Sequence, residues 1–173
     1  LGGLPASSLG RATLMISGGI DSVVAGYLAL KKGIAIDAIH YASPPYTNDL
    51  ALQKVIDLLE KIAPYAEYQS INLYVVPFTN LQQAIYANVR EDYGITIMRR
   101  MMYRLGERLC IERGNLAIVN GENIGQVASQ TLESMGTINK VVSIPVIRPL
   151  ATFDKSDITK ISEKIGTYEI SIR

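Results

Sequence analysis

Short apolar runs rich in β-branched residues alternate along this chain with longer stretches whose apolar side chains recur every three or four positions. A strand buried on both faces reads as a continuous apolar run, and a helix laid on a sheet shows an apolar stripe, so the alternation is the sequence form of βαβ units. The first run, Thr13–Ile16, predicts a strand leading into Ser17-Gly18-Gly19. A helix is predicted from Asp21 to Lys32, with Val24, Tyr27 and Leu28 on one face and Gly33 as its stop. Ala35–Tyr41 predicts strand two and Ser43-Pro44-Pro45-Tyr46 a loop. Asp49–Ile62 predicts a second helix, with Leu52, Val55, Ile56 and Leu59 on one stripe. Ile71–Val76 is the third strand, closed by Pro77. Two further helices are predicted, over 79–91 and 95–113, separated at Gly94. In the second, Met98, Met101, Met102, Leu105 and Leu109 share an apolar face expected to be core, and Arg100, Arg104 and Arg108 form a stripe on another. A strand at Leu116–Asn120, a helix over 126–135, a strand at Ser143–Ile147 and a helix over 154–165 complete the pattern. The expected fold is α/β: a doubly wound, mostly parallel open sheet, with ligands beyond the carboxyl ends of its strands.

Composition narrows this picture. With 173 residues, 48% hydrophobic, the chain is long enough for one sizeable core. Its 17 Lys and Arg nearly cancel its 16 Asp and Glu, so any nucleic-acid contact rests on a local patch such as the Arg100–Arg108 stripe, not on a global field. The single cysteine, Cys110, excludes a disulfide framework, a CxxC redox pair and a multi-cysteine zinc site within this sequence, and the single histidine, His40, excludes an HExxH metal site. Cys110 lies between Leu109 and Ile111 in a helical stretch and reads as packed. No apolar run is long enough to span a bilayer, so a soluble, cytoplasmic protein is expected. The start Leu1-Gly2-Gly3-Leu4-Pro5, without Met, reads as a linker over 1–12 leading into a domain over 13–173, and hence as part of a longer protein.

The chemistry concentrates after the first strand. Ser17-Gly18-Gly19-Ile20-Asp21-Ser22 places two glycines where backbone must pass close to something, and hydroxyls where a helix begins. Main-chain N–H groups at such a helix start suit a phosphate or pyrophosphate. A tight turn capped by Asp21 or Ser22 is the plain alternative. Neither Walker A nor GxGxxG occurs in the chain, so a kinase-type loop and a dinucleotide fingerprint fit poorly.

The SGGxDS loop after a first strand resembles the pyrophosphate loop of the ATP pyrophosphatase (PP-loop, adenine nucleotide alpha hydrolase-like) superfamily, whose members adenylate a carbonyl oxygen. Further segments resemble the catalytic domain of the tRNA 4-thiouridine synthetase (ThiI) family: Ser43-Pro44-Pro45, Met98-Arg99-Arg100-Met101-Met102, the block from Gly121-Glu122-Asn123 through Gly125-Gln126-Val127-Ala128-Ser129-Gln130-Thr131, Arg148-Pro149-Leu150, and Asp154-Lys155. The long block is the specific one. Val23 stands where many relatives have Pro.

The resemblance implies an ATP site. The phosphates would lie on Ser17, Gly18, Gly19 and Ser22, the adenine and ribose would be framed by Met15, Ile16, His40 and Tyr41, and further contacts would come from Arg99, Gly121 and Gln130. By the same resemblance Asp21 and Lys155 would be catalytic, and Asp21 would also hold Mg2+ or orient the loop. The implied activity is ATP-dependent tRNA sulfurtransfer: adenylation of a uridine at O4 with release of pyrophosphate, then sulfur transfer from a persulfide. A cysteine desulfurase is the expected sulfur donor and a thiamine-pathway sulfur carrier a further partner; a homodimer is left open. The family's RNA-binding N-terminal region and its sulfur-carrying cysteine would lie outside these residues. Another PP-loop tRNA-modifying enzyme, or a nucleotide-binding module without chemistry, are the alternatives.

Overall fold

The computed structural model describes residues 4–47, 49–125, 127 and 130–173. Five strands form one parallel sheet: β1 (Arg11–Met15), β2 (Ala35–Ala42), β3 (Leu73–Pro77), β4 (Ile118–Val119) and β5 (Val146–Ile147), in the order β3-β2-β1-β4-β5. Among the described residues seven α-helices accompany them: α1 (Ile20–Lys31), α2 (Asp49–Ile62), α3 (Thr79–Asn88), α4 (Glu91–Arg113), α5 (Leu132–Asn139), α6 (Lys155–Lys164) and α7 (Tyr168–Ser171). The doubly wound parallel expectation holds. Strand order reverses at β1, and the crevice between β1 and β4 is the topological switch point at which such sheets bind ligands.

The inner strands are apolar because helices cover both faces. On one side Leu14 and Ile36 pack with Val23 and Val24 of α1 and Leu58 and Ile62 of α2, all buried, and Ile158 of α6 joins the same cluster. On the other side α4 buries Tyr103, Gly106 and Cys110, spaced by three and four so that they share one edge of the helix. That edge differs from the expected apolar face, since Met98, Met101, Met102, Leu105 and Leu109 are only half-buried. A polar cluster sits beneath α4: the buried Asp37 carboxylate accepts from Arg11 at 3.2 Å, Asn72 at 2.9 Å and Asn115 at 3.0 Å. Cys110 is packed as expected, its Sγ 3.1 Å from Thr13 Oγ1.

Several boundaries shift for identifiable reasons. Gly94 does not break a helix; it is buried within α4, where 23 residues of helix outweigh the roughly 1 kcal/mol that one glycine costs. The helix expected over 126–135 is α5, beginning at Leu132 because Thr131 Oγ1 caps it by accepting from the Ser134 amide at 3.2 Å. Residues 126, 128 and 129 lie outside the described residues. β5 is shorter than Ser143–Ile147 because the amides of Ser143 and Ile144 are taken by the Glu107 carboxylate, at 2.6 and 3.2 Å. These bonds, the Ser143 amide first, hold the Glu107 carboxyl below its usual range. β4 pairs formally over two residues, yet ladder bonds run from Leu116 N to Asn120 N. The third strand starts at Leu73 rather than Ile71 and takes in Pro77, and α7 is a short helix the periodicity did not predict.

Candidate active site

The loop after β1 is locked by Ser22. Its hydroxyl donates to Ser17 O at 3.1 Å and accepts from Ser17 N at 3.0 Å, so it does not cap α1. Gly19 occupies the N-cap position in an extended conformation and supplies no side-chain cap, while its own amide donates to Ser17 Oγ at 3.4 Å. The first turn of α1, at the positive end of its dipole, thus has no side-chain cap, an arrangement an anion fits.

At the carboxyl edge of the sheet this loop borders a cleft of about 320 Å3. Met15, Ile16, Ser17, Asp21 and Ser22 form one wall; His40 and Tyr41 come from the end of β2. Arg99, Met102 and Tyr103 of α4 face them, and Asn120, Gly121, Glu122 and Gln130 close the side after β4. Most residues singled out in the sequence therefore meet in one place. Gly18 does not; it abuts Lys54 of α2, whose Cδ lies 2.9 Å from where a Cβ would stand. Gly19 lies at the helix start behind the loop. Lys155, the first residue of α6, reaches the site through an ion pair with Asp21 at 2.9 Å. A cation at a helix start opposes the dipole, and Asp21 supplies the compensating charge.

Gly121 has a steric role. A Cβ there would stand 2.6 Å from the Asp21 carbonyl carbon and 2.7 Å from Ser22 N, so the chain after β4 and the start of α1 touch backbone to backbone. His40 is 8% exposed and its Nδ1 lies 3.2 Å from Ile16 O. A carbonyl only accepts, so Nδ1 carries the hydrogen. The Tyr41 hydroxyl donates to Met102 O at 2.5 Å, and burial, foremost, pushes its pKa far above the usual phenol range. Gln130 Oε1 is buried with no hydrogen-bond partner among the described residues.

Four residues lining this cleft were not singled out as site residues in the sequence: Met102, which was expected to be core, Tyr103, Asn120 and Glu122. Glu122, 4% exposed, accepts from Arg99, from Arg148 at 2.7 Å and from the Tyr103 hydroxyl at 2.8 Å. Burial alone would raise its carboxyl, but Arg99, Arg148 and Tyr103 outweigh that and hold it below the ordinary range. Asn120 donates to the Tyr103 oxygen at 2.6 Å and accepts from the Glu122 amide at 3.1 Å. The stripe of arginines divides: Arg100 donates to Thr137 O of α5 at 2.5 Å, Arg108 pairs with Glu112 along the helix, and Arg104 is exposed. Among the described residues no group of three or more His, Cys, Asp or Glu could hold a metal ion, and no helix is long and apolar enough to cross a membrane.

A parallel doubly wound sheet, a serine-locked SGGxDS loop at its switch point and an uncapped helix start above the cleft define a PP-loop α/β domain. An NMN synthetase from Francisella tularensis shares this fold, with TM-score 0.65 and 19% identity over 94% of this chain and 64% of that one. The chain belongs to the family described as Thiamine biosynthesis protein (ThiI), whose model matches residues 7–173. It is 51% identical to a probable tRNA sulfurtransferase of Oceanobacillus iheyensis, over 99% of this chain and 42% of that protein. It also superposes on a crystal structure of a 4-thiouridine synthetase–RNA complex with bound ATP, with TM-score 0.96 and 46% identity, covering 99% of this chain and 44% of that one. The chain thus spans less than half the length of these two relatives.

Proposed function

We propose that this chain is the ATP-using domain of a tRNA sulfurtransferase that makes 4-thiouridine. The carrying observation is the cleft itself: an uncapped α1 start and a glycine loop beside the Asp21–Lys155 pair, in a fold that superposes on a 4-thiouridine synthetase with ATP bound.

In this reading the β and γ phosphates of ATP sit on the Ser17–Ser22 loop, where main-chain N–H groups stabilise the charge that accumulates on the leaving group. Met15, Ile16, His40 and Tyr41 border the base and ribose, and a nucleobase amino group satisfies the orphaned Gln130 Oε1. The C4 oxygen of a tRNA uridine attacks the α phosphorus, a P–O bond forms, and the bond to the bridging oxygen breaks to release pyrophosphate. Lys155 exchanges its pairing with Asp21 for the phosphate under attack, a point charge suited to that task. Asp21 and phosphate oxygens are the groups that would hold magnesium, which favours oxygen ligands, keeps several waters and supplies charge neutralisation. Cys110 is buried, and burial, chiefly, raises its thiol, so the persulfide sulfur that displaces AMP is carried elsewhere. Sulfur from a cysteine desulfurase, and relay to a thiamine-pathway carrier, belong to the same reading.

The test is tRNA-dependent pyrophosphate release by the full-length protein. Asp21→Ala and Lys155→Ala are each expected to lower the rate at least about a hundredfold, the scale of losing one electrostatic group at a transition state. Unchanged release in both variants overturns the roles given to Asp21 and Lys155, and no release by the wild-type protein overturns the enzymatic reading in favour of a nucleotide-binding module.

A further inference from the structure

Glu122 does more than fill the wall of the cleft. Its two oxygens serve different partners: Arg99 binds Oε1, while Arg148 Nε and the Tyr103 hydroxyl bind Oε2. Arg148 is anchored again by Asn139 Oδ1 at 2.9 Å. One carboxylate thus faces two guanidiniums. Arg99 lines the cleft and Arg148 does not, so Arg99 is the guanidinium within reach of a ligand there. A long arginine side chain loses considerable rotamer freedom when it must be ordered on binding.

We propose that Glu122 is a positioning residue, which holds the Arg99 guanidinium in place across the cleft from the loop after β1 so that it meets the phosphate chain of a bound nucleotide already ordered. The proposal rests on the ATP reading of the cleft. Arg148 and Tyr103 are the struts that fix Glu122 in turn, and Asn120 fixes Tyr103.

The experiment is a double-mutant cycle read as the Kd for ATP, by calorimetric titration of the full-length protein and its Glu122→Gln, Arg99→Ala and doubly substituted variants. Glu122→Gln keeps the shape but removes the charge and turns an acceptor into a donor facing a guanidinium. It is expected to weaken ATP binding on the order of tenfold when Arg99 is present and to add no further loss when Arg99 is alanine, the non-additivity of residues acting as one unit. A merely structural role would lower the affinity by the same factor in both backgrounds, and that result, or no loss in the first, overturns the proposal. Glu122→Asp keeps the charge that Arg148 needs, so the same cycle is run with it if the glutamine variant does not fold, and the same pattern is required. Wild-type protein that binds ATP without tRNA-dependent pyrophosphate release defeats the proposed sulfurtransferase function and leaves this inference standing on the cycle. Wild-type protein that does not bind ATP defeats both.

Discussion

Two acid–base contacts flank the cleft and are built in opposite ways. Asp21 and Lys155 meet near the surface, with 28% and 56% of their side chains exposed, whereas Glu122 is 4% exposed and its partner Arg148 17%. Water already solvates the first pair, so exchanging one partner for a phosphate costs little. The second cannot be opened without stranding charge in the interior. The difference separates a wall whose ion pair can exchange partners at little cost from a wall that is fixed when the chain folds.

The largest effect is expected from breaking the fixed wall. Glu122→Leu leaves two guanidiniums without their carboxylate and should lower the unfolding free energy by about 3–5 kcal/mol in urea titrations; a loss near zero would show that the network is dispensable. The same variant carries the pH signature. Because the folded-state Glu122 carboxyl is held below its usual range, its contribution is present above the unfolded value of about 4.3 and is lost as pH falls through the lower folded value. Wild-type stability should therefore fall more steeply than that of Glu122→Leu as pH drops below that point.

Gly121→Ala comes next. Its Cβ cannot coexist with the Asp21 carbonyl carbon 2.6 Å away, so the loops must part, at about 1–3 kcal/mol of stability. Weaker ATP binding should accompany the loss, and wild-type values for both would refute the contact. Lys155→Ala is the smallest structural change. The exposed pair should cost less than about 1 kcal/mol on removal, while pyrophosphate release collapses. A large stability loss there would erase the contrast between the two walls.

The sequence made the sheet legible and left much of the site's wiring hidden. Thr13–Ile16 and Ala35–Tyr41 stand out because strands buried on both faces leave no polar alternation. The start of β5 was not legible, since Ser143 and Ile144 give their amides to Glu107, 36 and 37 residues earlier. Met101 and its neighbours follow the helical period, yet Tyr103 and Cys110 hold the buried edge, because periodicity finds a stripe without saying which side of it meets the sheet. Glu122 reads as a loop carboxylate between Gly121 and Asn123; its partners lie 23 and 26 residues away on opposite sides in sequence, beyond any local pattern. The signals were its place in the Gly121–Thr131 block and its position, a charged residue just past a strand that enters the switch point.

The central place of β1 also orders assembly. Arg11 meets Asp37 across 26 residues, while Asn115 reaches Thr13 across 102. Closing the longer loop costs about 1.2 kcal/mol more chain entropy, so the half of the sheet built from β1, β2 and β3 is favoured to pair first. The SGGxDS turn is then made early but completed late, when Gly121 arrives to back Asp21. On a ribosome the cleft would be absent until the stretch that carries β4 has emerged, and a nascent chain halted before it would display the loop without a site.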